Sequence, residues 1–99
     1  MKILINQDGK LNLEEPDDFN RFSIVDLSPT RERKALDAIS VRAGDDHYWI
    51  DAEAVIDLSN RSHDPEWIDL FWSMLKKVEP YGYADLENRR VKAHIETQD

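Results

Sequence analysis

Alternating hydrophobic and polar residues predict a hairpin at the start of the chain. Residues 2–6 and 11–14 alternate, and the dipeptide Asp8-Gly9 lies between them. This dipeptide favours the positive φ angles of a two-residue type I′ turn. A turn of that length places Leu4 opposite Leu13 on one face of the hairpin.

The next two segments predict a buried strand followed by an outer helix. Residues 21–27 carry apolar side chains on both alternating sides, which is typical of a strand buried on both faces. Ser28-Pro29 then supplies residue types preferred at the N-cap and first position of a helix. The helix predicted at 29–40 has a narrow apolar stripe and charges elsewhere, so we expect it to pack on a sheet.

Residues 47–58 fit two interpretations. Strict alternation from Tyr48 to Leu58 favours one long strand. Alanine and glutamate at 52–54 favour a helix, and Asp51 is suited to cap it. We predict a strand at 47–50 and a helix at 52–58, with the single strand as the open alternative.

The segment 64–78 is the strongest helix signal in the chain. Asp64-Pro65 is a favourable helix start, and six apolar residues follow at helical spacing. These residues are Trp67, Leu70, Phe71, Met74, Leu75 and Val78. Ile68 and Trp72 widen the apolar arc to about 200°, whereas a helix covering a sheet needs about 100° or slightly more. Another part of the chain, a second protein or a ligand must cover this excess.

The last regular segment, residues 89–96, alternates between apolar and charged side chains and predicts a half-exposed strand. The resulting order mixes a few short strands with helices. It predicts an α+β fold: a two-layer sandwich with a mostly antiparallel sheet of about five strands and helices on one face. A ferredoxin-like arrangement with an added N-terminal hairpin is the topology that we expect.

Length and composition limit the class of protein. Ninety-nine residues predict a single domain, 1–99, and the absence of cysteine excludes disulfides and thiol chemistry. The net charge of −8 disfavours nucleic-acid binding. No apolar run is long enough for a signal peptide or membrane span, so we expect a cytoplasmic protein of bacterial style. Basic groups at 31–34 and 89–92 are interpreted as solvated faces, with a local anion or acidic-partner site as the alternative.

No motif in the chain indicates a family or a defined reaction. Asp45, Asp46, His47 and Asp51 are candidate oxygen and nitrogen ligands, but acid-rich loops are usually solvated, and the histidines lack metal-site spacing. We therefore expect no metal and no cofactor.

Two functions remain as hypotheses. The first is a small acidic, non-enzymatic interaction or regulatory module, a homodimer associating through the 64–78 helix, with Ile68, Trp72, Tyr48 and Trp49 as partner-binding residues. Its charge would also suit a basic protein partner. The alternative is a small enzyme or ligand-binding domain with a pocket between the sheet and this helix, using His47 and Asp51 for acid–base chemistry.

Overall fold

The computed structural model describes residues 1–29 and 33–97. Their seven strands are β1 (Lys2–Ile5), β2 (Leu11–Glu14), β3 (Ser23–Asp26), β4 (Ser40–Gly44), β5 (His47–Asp51), β6 (Ala84–Asp85) and β7 (Arg90–Thr97). The helices are the single turn α1 (Lys34–Asp37), α2 (Ala52–Ser59) and α3 (Pro65–Val78), and a 3-10 turn at Glu79–Tyr81 follows α3.

The fold is α+β, as the sequence predicts, but the sheet is larger and more mixed than expected. Seven strands form one sheet in the order β2-β1-β3-β7-β5-β4, and β6 also pairs with β7. The pairs β1–β3 and β3–β7 are parallel, and the other pairs are antiparallel. The prediction of about five strands is therefore too low, and the sheet is mixed, with four antiparallel and two parallel pairs.

The ferredoxin-like topology is also wrong. That arrangement would place β3 between β7 and β5 with every pairing antiparallel. Here β7 lies between β3 and β5, parallel to the first and antiparallel to the second.

The first hairpin has the predicted strands but a different register. The Gly9 amide donates to the Asn6 carbonyl, and the Asn6 amide donates to the Lys10 carbonyl. Only Gly9, with a φ of 84°, has a positive φ angle in this loop. The loop is therefore a three-residue turn closed by a left-handed glycine, rather than a type I′ turn. The extra loop residue moves Leu13 opposite Ile3.

The segment after β3 departs most from prediction. The Ser28 amide and hydroxyl both donate to Asp26, two residues earlier. The helix there begins at Lys34 and ends at Asp37, and residues 30–32 of the predicted helix lie outside the described residues. Strand β4 follows, where only the isolated apolar Val41 and the small Ala43 gave a weak strand signal.

Both later helices begin as predicted. Asp51 ends β5 and accepts a hydrogen bond from the Glu53 amide at 3.2 Å, which confirms the strand-then-helix interpretation of residues 47–58. Asp64 accepts from the Trp67 amide at 3.1 Å, with Pro65 at the first helical position. In both cases a carboxylate satisfies an amide that has no partner within the helix.

Alternation in the strands separates two faces of the sheet. Tyr48, Ile50, Val91, Ala93 and Ile95 join the core that contains the buried residues of α2 and α3. The intervening residues of β5 and β7 share the opposite face, because cross-strand partners lie on the same side of a sheet. We call this the outer face; its members on these two strands are His47, Trp49, Asp51, Arg90, Lys92, His94 and Glu96.

Candidate functional site

The predicted flank of α3 is partly covered by the chain itself. Trp72 is half-buried, and the guanidinium carbon of Arg89 lies 4.7 Å from its ring centroid. Arg89 forms an ion pair with Glu53 of α2. Ile68 is also half-buried and packs against the core. The α2 side of the molecule thus supplies part of the cover that the wide apolar arc requires.

A second arginine covers the other tryptophan considered as a partner-binding residue. On the outer face, the guanidinium carbon of Arg90 lies 4.6 Å from the Trp49 ring centroid, and the Lys92 ammonium lies 5.7 Å from it. Arg90 also donates to Asp85 at 3.2 Å. Arg89 and Arg90 therefore stack on aromatic rings. The sequence suggested two other roles for the basic group at 89–92, a solvated face or a site for an anion or acidic partner.

Tyr48, His47 and Asp51 are neighbours in sequence but lie in different environments. Tyr48 is 2% exposed in the core, so it offers almost no surface to a partner. His47 and Asp51 lie on the outer face, so they do not line a space between the sheet and α3. Their positions four residues apart on one strand separate them by about 13 Å. Asp51 is also occupied as the cap of α2.

Three of the four large exposed apolar or aromatic side chains among the described residues lie on the flank of α3 opposite Trp72 or just beyond the helix; the fourth, Val41 of β4, is 56% exposed. Leu70 is 51% exposed, although helical spacing predicted it to join the buried face. Tyr81 and Tyr83, just beyond the helix, are 78% and 53% exposed. Helical periodicity could not separate Leu70 from Phe71, because the two positions are only about 100° apart on the helix.

A groove runs beside Leu70. It has a volume of about 250 Å³ and is lined by Phe19, Asn20, Leu70, Ser73, Met74, Lys77 and Val78. A second groove of about 260 Å³ shares Phe19, Asn20, Met74 and Val78 with it and extends to Phe22, Tyr83 and Lys92. Loop residue Phe19 is held there by its contact with Trp67, at 5.9 Å between ring centroids. The Trp67 indole N–H in turn donates to the Pro16 carbonyl at 2.8 Å.

A buried carboxylate that the sequence did not single out lies at the end of β3. The Asp26 side chain is fully buried and accepts from the Ser28 amide (2.9 Å), the Ser28 hydroxyl (2.6 Å) and Arg33 Nε (3.0 Å). Burial alone would raise the pKa of Asp26, but the hydrogen bonds from Ser28 and Arg33 outweigh burial and lower this pKa below its usual value. Because all of these groups are paired, the network is best explained as an anchor for the chain after β3.

Among residues 1–29 and 33–97, no three histidine, aspartate or glutamate side chains are close enough to form a metal-ion cluster. Within the same residues, no helix has the length and apolar character needed to cross a bilayer. No protein-family model, curated protein or solved structure shows a significant match to this chain.

Proposed function

We propose that the protein is a non-enzymatic interaction module that self-associates through the exposed side of α3. The observation that carries the proposal is the exposure of Leu70 in the middle of this side, beside an apolar groove. The proposal takes the fold as a two-layer sandwich, so that this side of α3 lies on the surface of the helical layer. It keeps the 64–78 helix as the interface but replaces the Ile68–Trp72 flank with the Leu70 flank.

The charges along α3 favour an antiparallel pair of helices. The exposed residues after Pro65, which we call the α3 stripe, are Glu66, Asp69, Leu70, Ser73, Lys76 and Lys77. Acids occupy the N-terminal half of the stripe and lysines occupy the C-terminal half. Two parallel copies would bring like charges together, whereas two antiparallel copies bring acids opposite lysines.

A twofold axis between residues 71 and 72 gives a specific pairing. It places Glu66 of one copy opposite Lys77 of the other and brings the two Leu70 side chains close to the centre. The two symmetric Glu66–Lys77 pairs therefore lie about 16 Å apart along the helices, because eleven residues separate Glu66 from Lys77 at 1.5 Å per residue. The groove beside Leu70 offers space for the Leu70 side chain of the second copy, and burying a leucine contributes about 1.5–3 kcal/mol.

Sedimentation velocity at several protein concentrations tests the proposal. The wild-type protein should show a concentration-dependent monomer–dimer equilibrium. Leu70→Glu should raise the dissociation constant at least tenfold, because it places two carboxylates at the centre of the interface. A wild-type protein that stays monomeric at all accessible concentrations would overturn the proposal.

Charge exchange tests the antiparallel geometry. Lys77→Glu should weaken association at least about fivefold to thirtyfold, since two symmetric pairs of about 0.5–1 kcal/mol each are lost and like charges replace them. Adding Glu66→Lys should restore association, because the pairs then form with reversed sign. Lys10→Glu makes the same charge change at an exposed lysine of the first hairpin and should leave association unchanged. Equal weakening by Lys10→Glu and Lys77→Glu would show a general charge effect instead.

A further inference from the structure

A histidine pair lies on the outer face, away from the α3 stripe. His47 and His94 are direct cross-strand partners on β5 and β7, and their ring centroids are 5.2 Å apart. No local pattern indicates this pair, because the two residues are 47 positions apart and their pairing depends on the position of β7 in the sheet. The third histidine, His63, is exposed just before α3.

The separation of the two rings suits one shared metal ion. Metal–nitrogen distances of about 2.0–2.1 Å and a tetrahedral angle place the centroids of two imidazole ligands about 5 Å apart. The His47–His94 separation matches this value. Adjacent strands hold both backbones, so only side-chain torsions need to adjust when an ion binds.

Hydrogen bonding prepares His47 to act as a ligand. His47 Nδ1 is 2.8 Å from the Asp45 carbonyl oxygen. A carbonyl oxygen only accepts, so Nδ1 carries the proton and the neutral ring leaves Nε2 with a free lone pair. Metal-binding histidines usually have such a bond on the nitrogen that does not bind the ion.

The surroundings of His94 also favour a cation. Glu96, on the same face and two residues along β7, has a carboxylate oxygen 4.0 Å from His94 Nδ1. The His94 and Glu96 side chains are exposed, so an ion can reach them from solvent. Lys92, two residues before His94 on the same face, has its ammonium 5.7 Å from the Trp49 ring centroid.

We propose that His47 and His94 form a two-histidine chelate for a divalent transition-metal ion such as Zn²⁺, Ni²⁺ or Cu²⁺. Imidazole selects these ions over Mg²⁺ and Ca²⁺, which prefer oxygen ligands. Water completes the coordination, and the Glu96 carboxylate offsets part of the ion's charge. This site is independent of the proposed self-association, because neither histidine belongs to the α3 stripe.

Isothermal titration calorimetry of tag-free, EDTA-treated protein with ZnCl₂ at pH 7.5 tests this proposal. We expect one ion per chain and at least tenfold weaker binding for His47→Ala and for His94→Ala. His63→Ala is the matched control and should bind like the wild type. Excess MgCl₂ should not compete.

Three results would overturn the proposal. These are no zinc binding at millimolar concentration, unchanged zinc affinity in both His47→Ala and His94→Ala, and displacement of zinc by equimolar magnesium. Quenching of tryptophan fluorescence by Cu²⁺ gives a second measurement that needs no histidine substitution. Trp49 is two residues from His47 on the same face, about 7 Å along the strand. Trp49→Phe should therefore remove most of the quenching, whereas Trp72→Phe should retain it; the reverse pattern would place the ion elsewhere.

Discussion

Replacing Asp26 with alanine should destabilise the protein by about 3 kcal/mol. The substitution removes one fully buried carboxylate and leaves the Ser28 amide and the Arg33 guanidinium without their acceptor. A hydrogen bond to a charged group contributes about 1.5–3 kcal/mol, and an unpaired buried donor costs about 1–3 kcal/mol. The expected loss of about 3 kcal/mol is well below the sum of these contributions, because the Arg33 side chain is 22% exposed and water can partly solvate its guanidinium.

Urea unfolding followed by tryptophan fluorescence, at one fixed protein concentration, would measure this loss. For a domain of this size, about 3 kcal/mol corresponds to a fall in Tm of about 12–24 °C. Asp17→Ala is the matched control, because Asp17 is exposed and pairs with Arg61 at the surface. Its substitution should cost less than about 1 kcal/mol. Similar losses for Asp26→Ala and Asp17→Ala would refute the reasoning.

The same carboxylate predicts a dependence of stability on pH. The fold lowers the pKa of Asp26 below its unfolded value of about 3.9, so folding favours the ionised form. This contribution is fully present above the unfolded pKa and is lost as the pH falls through the folded-state pKa. The difference in unfolding free energy between wild type and Asp26→Asn should therefore narrow below about pH 4. A difference that stays constant from pH 7 to pH 2 would contradict the assignment.

Three other substitutions test separate contacts. Trp67→Phe should cost about 1–2 kcal/mol in urea unfolding, because it removes the indole N–H bond to the Pro16 carbonyl; an unchanged midpoint would show that this bond is not needed to hold the loop. Gly9→Ala should cost about 1 kcal/mol in thermal unfolding, since alanine is strained at a φ of 84°, and no loss would contradict the observed turn. Arg89→Ala should shift the tryptophan emission to longer wavelength by exposing Trp72, with less than about 1 kcal/mol of destabilisation; an unshifted spectrum would show that Arg89 does not cover the ring.

Local signals predicted local structure well. The Asp51 and Asp64 caps, the bounds of α3 and the alternation of β7 all depend on residues close together in the sequence. The hairpin register shows where such signals end: Asp8-Gly9 fits a two-residue turn and a three-residue turn equally well. Only the pairing of Asn6 with Lys10 decides between them.

Contacts between distant segments were not predictable. The position of β7 between β3 and β5 determines that His94 meets His47 and that Arg90 stacks on Trp49. Alternation showed which side chains of each strand share a face, but not which strands are neighbours. The exposure of Leu70 depends in the same way on the position of the sheet and the Phe19 loop relative to α3.

The place of β7 in the sheet has a consequence for synthesis of the chain. β1, β2 and β3 form one part of the sheet and β4 and β5 form another, and β7 joins these two parts. Until the ribosome has made residues 90–97, β3 and β5 each have an edge without the partner that β7 later supplies. Such edges can pair with other chains. A nascent chain that stalls before residue 90 should therefore aggregate or require a chaperone, even though most of its residues have already been made.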